Sequence, residues 1–137
     1  LNASELVTCP VFAEIAAGVP IEMVEGITET CRLPREWLSA PYETFLLTVR
    51  GDSMTGVGID NGDRVVLRQT NVVDNNQIAA VELDGNVTLK TFMKMGSTIL
   101  LISQNKDYEP MMVDAEQIRI LGHAIGVIKE EKINNDM

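Results

Sequence analysis

Two runs rich in β-branched and apolar residues, Ile78 to Leu83 and Val87 to Met93, flank the dipeptide Asp84-Gly85. A two-residue hairpin turn holds both central residues at positive φ, which Asp tolerates and Gly adopts freely, so this stretch is constrained to an antiparallel hairpin. The same kind of patterning recurs on both sides of it. Phe45, Leu47 and Val49 alternate with Thr44, Leu46 and Thr48, as a half-buried strand requires, and the run ends at Gly51. Arg64 to Gln69 follows the Gly- and Asp-rich stretch Gly56 to Asp63, whose composition suits tight turns. Thr98 to Ser103 and Ile118 to Lys129 read as further strands, with Met95-Gly-Ser97 as a turn and Tyr108-Glu-Pro110 as a break. Sustained helical periodicity is absent, and short helical turns fit around Pro34 to Leu38 and near Asp114 to Gln117. The fold class that follows is mainly β, a compact antiparallel sheet domain.

Upstream, Leu1 to Met23 mixes small and apolar residues punctuated by Pro10, Gly18 and Pro20, and reads as a mobile arm. The expected organisation is therefore a linker and arm at 1–24 and one domain at 25–137, frayed after Lys129. Acidic residues outnumber basic ones, 20 to 11, for a net charge of −9. That excludes a nucleic-acid grip within these residues, because neutralising phosphates takes clustered Lys and Arg. The longest uncharged stretch, Met95 to Asn105, falls far short of the roughly 20 residues that cross a bilayer. The first residues lack a basic head before an apolar run, so no membrane association is expected and the expected location is cytoplasmic. Cys9 and Cys31 form no Cys-x-x-Cys motif and are expected as free thiols.

The single histidine, His123, lies between Gly122 and Ala124 in an apolar run and reads as structural, a placement that disfavours a Ser-His-Asp triad without closing it off. No histidine pair, cysteine cluster or calcium-loop spacing occurs, so neither metal nor cofactor is expected. The glycines from Gly51 to Gly62 lack the Gly-Lys-Ser/Thr ending of a phosphate loop. Ser53 stands after a strand, in Val49-Arg-Gly-Asp-Ser-Met-Thr55, where the glycine lets the backbone turn and present adjacent N–H groups. From local composition it is equally a turn serine. Lys90 is bracketed by Val87, Leu89 and Phe92. It is either an edge-strand lysine with its ammonium in water or a buried one whose lowered pKa lets the neutral amine take a proton from a serine.

Together these segments resemble the LexA and UmuD type of self-cleaving serine peptidases, which includes the C-terminal domains of lambdoid phage repressors. Gly51-Asp-Ser-Met54 followed by Gly58-Ile-Asp-Asn-Gly-Asp63 is similar to the family's nucleophile box, and Val87-Thr-Leu-Lys-Thr-Phe92 to its lysine box. Val11-Phe-Ala-Glu-Ile-Ala-Ala-Gly-Val-Pro20 resembles its cleavage segment. The resemblance implies a LexA C-terminal or signal-peptidase-like β fold and a catalytic dyad of Ser53 and Lys90. It further implies a scissile bond between Ala17 and Gly18, and an oxyanion held by the N–H groups of Asp52 and Ser53. It also implies a homodimer, activation by a RecA nucleoprotein filament after DNA damage, and DNA contact only through an N-terminal helix-turn-helix domain absent from this chain. A UmuD-like accessory subunit of a translesion polymerase is the alternative, and a degenerate dimerisation module a third. Glu14 within the arm and Thr91 after the lysine depart from the family pattern.

Overall fold

The computed structural model describes residues 5–15, 18 and 29–131. Among these residues nine strands lie in one sheet: β1 (Leu6–Phe12), β2 (Glu29–Pro34), β3 (Thr44–Thr48), β4 (Arg64–Gln69), β5 (Ile78–Leu83), β6 (Asn86–Met95), β7 (Thr98–Ile102), β8 (Met111–Asp114) and β9 (Ile118–Ile128). Their order is β2-β1-β3-β4-β9-β5-β6-β7-β8, antiparallel throughout except for the β1/β3 pair. Among the described residues no helix is long and apolar enough to cross a membrane, and the helical turns at Arg35–Trp37 and Ala115–Gln117 fall where the sequence placed them.

The hairpin forms as expected, with Leu83 opposite Asn86 and with Asp84 and Gly85 at φ of 51° and 82°. Leu6–Phe12 departs from expectation: instead of lying in a mobile arm, it is a strand held between β2 and β3. Its inward residues Val7, Cys9 and Val11 keep a period of two, and Pro10 is tolerated because pairing to β3 begins only at Val11.

A flat nine-stranded sheet could not bury both faces, and two irregularities bend this one. Register shifts beside Val66/Leu67 and Ala80/Val81 leave Ile125 and Leu121 of β9 as extra residues, each turned into a hydrophobic cluster. The central cluster joins Phe12, Ile15, Phe45, Leu47, Met54 and Leu89, so residues from both ends of the chain close on one core. Phe45, 1% exposed, meets Phe12 edge to face with ring centres 5.9 Å apart.

The turn-rich segment before β4 is fastened through Asp63, a carboxylate only 2% exposed. It accepts hydrogen bonds from the Lys129 ammonium, from the Glu130 N–H at 2.9 Å and from the Asp60 N–H at 2.8 Å. Burial pushes its pKa up, but the lysine and the two amides outweigh burial and bring it down to about 2. A carboxyl depressed in the folded state adds stability above its unfolded value, near 3.8, and loses it as pH falls through about 2. Asp63→Asn is accordingly expected to lower the urea midpoint at pH 7, with the gap to wild type closing as pH drops across that window. Phe45→Ala should cost about 3–5 kcal/mol in the same assay.

Candidate active site

Beyond β3 the pairing ends in a bulge in which Gly62 and Asp63 together oppose Val49: the Val49 N–H donates to Asp63 O and the Val49 carbonyl accepts from the Gly62 N–H, both at 2.8 Å. These two bonds close residues 50–61 into a loop that carries Ser53. Several contacts hold the loop in place. Gly51 N–H donates to Asn61 Oδ1 at 2.9 Å, Asn105 Nδ2 donates to Asp52 O at 2.8 Å, the Tyr108 hydroxyl donates to the Asp52 carboxylate, and Gly56 N–H donates to Gln104 O at 2.6 Å. Residue 56 has to be glycine, because a Cβ there would stand 2.4 Å from that carbonyl oxygen. Met54 drops into the central core, leaving Ser53 half-buried between it and the exposed Asp52.

Lys90 reaches the same point from β6. Leu89 packs into the core, so the pleat sends the next side chain to the opposite face. β7 pairs with β6 only from Thr91 to Met95, which leaves the Asn86–Lys90 half of the strand without β7 beside it. There the Lys90 Nζ lies 3.3 Å from Ser53 Oγ and 3.3 Å from Thr88 Oγ1. Burial holds the ammonium below the usual lysine pKa, since desolvation penalises the charged form. Gln104 Nε2 donates to Thr91 Oγ1 at 2.8 Å, so one loop steadies both the serine and the strand that bears the lysine.

A cleft of about 360 Å³ opens beside this pair, lined by Val49, Ser53, Met54, Val87 and Leu89 together with Ala13, Glu14 and Ile15 of the arm. Ile15 is itself part of the central core. Three residues on, Gly18 N–H donates to Glu82 Oε1 at 2.8 Å, and Arg119 binds the same carboxylate oxygen at 2.9 Å. The arginine first and the glycine amide second hold the Glu82 carboxyl below its ordinary range. The arm is thus fixed on both sides of Ala17, which lies outside the described residues.

Of the residues singled out from sequence, Ser53 and Lys90 meet, and Gly18 is anchored at the turn end of the β5–β6 hairpin. Among the described residues the amides of Asp52 and Ser53 donate to no acceptor. His123 faces Arg68 and Ala79 across the sheet and does not line the cleft. Burial and the nearby Arg68 guanidinium push its pKa down. Sequence reasoning passed over Thr88, Glu82, Gln104, Asn105 and Tyr108. Thr88 alone had a local signal, standing two residues before Lys90 on the same face of a strand.

A model of the Peptidase S24-like family matches residues 10–125. Over 129 residues the chain is 38% identical to a LexA repressor of Thermosipho melanesiensis, covering 94% of this chain and 65% of that protein. A LexA repressor of Alcanivorax borkumensis is 38% identical over 121 residues, covering 88% and 59%. One from Clostridium novyi is 31% identical over 125 residues, covering 91% and 61%. The chain therefore spans about three-fifths of the length of the curated relatives it matches. A family match running from β1 into β9 takes in every strand that builds the cleft, and this chain belongs to the Peptidase S24-like family.

Proposed function

We propose that this chain is the self-cleaving C-terminal domain of a LexA-like transcriptional repressor, a serine peptidase that cuts its own Ala17–Gly18 bond. The observation that carries the reading is the 3.3 Å contact between Ser53 Oγ and a half-buried Lys90 amine, with Ser53 lining a cleft that residues of the arm help to wall. With Lys90 protonated, its Nζ donates to the serine. Once the proton is lost the amine accepts instead, and Ser53 Oγ attacks the Ala17 carbonyl carbon as its proton passes to Lys90. The unused N–H groups of Asp52 and Ser53 receive the oxyanion. Lys90 returns the proton to Gly18 N, the leaving nitrogen, and water then hydrolyses the Ser53 ester. Small residues on either side of the bond suit a narrow site. The anchors at Ile15 and Gly18 keep the substrate tethered, so little entropy is lost on binding.

Because the substrate is always present, rate is governed by the protonation of Lys90 and by the position of the arm. The same reading makes a RecA nucleoprotein filament the activator in the DNA-damage (SOS) response, cleavage the event that relieves repression, and the functional unit a homodimer. DNA contact falls to an N-terminal helix-turn-helix domain of the longer protein. The matched relatives, named as LexA repressors, favour this over a polymerase accessory subunit.

Held at alkaline pH, the purified chain is expected to split after Ala17, faster as pH rises through the depressed Lys90 value and levelling off above it; fragment masses check the bond. Ser53→Ala and Lys90→Ala should each slow the split by on the order of 10⁴-fold or more. A lysine whose pKa is lowered by folding binds fewer protons in the native than in the unfolded state, so its charge opposes folding at neutral pH. Lys90→Met should therefore abolish cleavage while raising the urea midpoint at pH 7. Gly56→Ala, which crowds the Gln104 carbonyl and displaces the Ser53 loop, should slow cleavage about 10- to 100-fold in a folded protein.

A further inference from the structure

Cys9 and Cys31 take no part in the proposed chemistry, and both are free thiols. Antiparallel pairing nonetheless sets them directly opposite one another on β1 and β2. Opposed residues in such a ladder have Cα atoms about 4.5–5.5 Å apart, inside the span of about 4.4–6.8 Å that a disulfide bridges. Both side chains face the same hydrophobic cluster, with Val7, Val11 and Leu33. Cys9 is 0% exposed and its thiol donates to Val7 O, whereas Cys31 is partly open to solvent. Along the chain the two residues stand on opposite sides of Ala17–Gly18.

We propose that Cys9 and Cys31 are an oxidation site at which a hydroperoxide forms a cross-strand disulfide that brackets the scissile bond, so that the cut chain stays in one covalent piece. The bracketing role rests on the self-cleavage reading above; the oxidation itself does not. The Cys31 thiolate, the accessible one, attacks the peroxide, taking one oxygen as a sulfenic acid and releasing hydroxide. The Cys9 thiolate then displaces the sulfenic oxygen, and the S–S bond forms. Two thiol protons and two electrons leave the protein, and hydrogen peroxide becomes two waters. Burial raises the Cys9 pKa, so this second step is faster at higher pH.

The structure gives the bond a consequence. β1 lies on the amino side of the cut and is held to the domain by its pairing with β2 and β3 and by the burial of Val7, Cys9 and Val11. In the reduced protein that attachment is non-covalent, so everything upstream of Ala17 is free to leave once the bond is cut. In the oxidised protein it is not.

The test treats the purified chain with hydrogen peroxide and then alkylates the remaining thiols. The expected product is a monomer that has lost the mass of two hydrogens, takes up no alkylating agent and yields a linked Cys9–Cys31 peptide on digestion. After alkaline incubation the reduced sample should give two fragments. The oxidised sample should give one species heavier by a single water, which dithiothreitol separates in two. Cys31→Ser should give two fragments under both conditions and no linked peptide. Thiols that stay alkylatable, cysteines oxidised separately to sulfinic or sulfonic acids, or links only between chains would overturn the proposal. If the linked peptide forms but neither sample is cut, the oxidation site stands and the self-cleavage reading fails.

Discussion

A lysine amine beside a serine hydroxyl is an unfavourable thing to build, because the lysine has to give up water and the serine has to be held where the backbone turns. The two groups meet here only because each is fixed from elsewhere. Leu89 in the core commits Lys90 to its face of β6, and the end of β7 at its pairing with Thr91 leaves the space that Ser53 enters. The serine's loop is held from the far side by Gln104, Asn105 and Tyr108, and closed from behind by the Val49 bonds to Gly62 and Asp63. Remove the burial and the amine keeps its proton; loosen the loop and the hydroxyl drifts out of reach.

The arm obeys the same logic from the substrate's side. β1 and Ile15 belong to the folded core although they precede the bond proposed for cleavage, so in the proposed reaction the substrate is part of the structure that cuts it. In that proposed reaction docking needs no encounter, which leaves geometry and protonation to limit the rate. Glu82 contributes to that geometry by taking both the Gly18 amide and the Arg119 guanidinium on one carboxylate oxygen.

Most of the sheet was legible beforehand. The Asp84-Gly85 hairpin, β4 and β5 carry alternation strong enough to be placed almost to the residue, and β6, β7 and β9 differ from expectation only at their ends. β1, β2 and β8 were passed over for separate reasons. Pro10 masked the two-residue period of β1, while Glu29–Pro34 buries only Leu33 fully and Met111–Asp114 only Val113. β2 and β8 form the two edges of the sheet, where a strand needs little apolar pattern because only one neighbour holds it. Of the site, the two residues that the structure brings together, Ser53 and Lys90, could be named in advance, but the polar groups around them, Gln104, Asn105, Tyr108 and Glu82, could not.

The amino-acid sequence alone determined the β character and the tight turn at Asp84-Gly85, since each depends on neighbours within a few residues. Only the tertiary structure decided that β9 lies between β4 and β5, that Cys9 faces Cys31, and that Ser53 and Lys90 come within 3.3 Å. Those outcomes are set by which strands bury which faces together, a choice made by the whole sheet at once and written in no single segment.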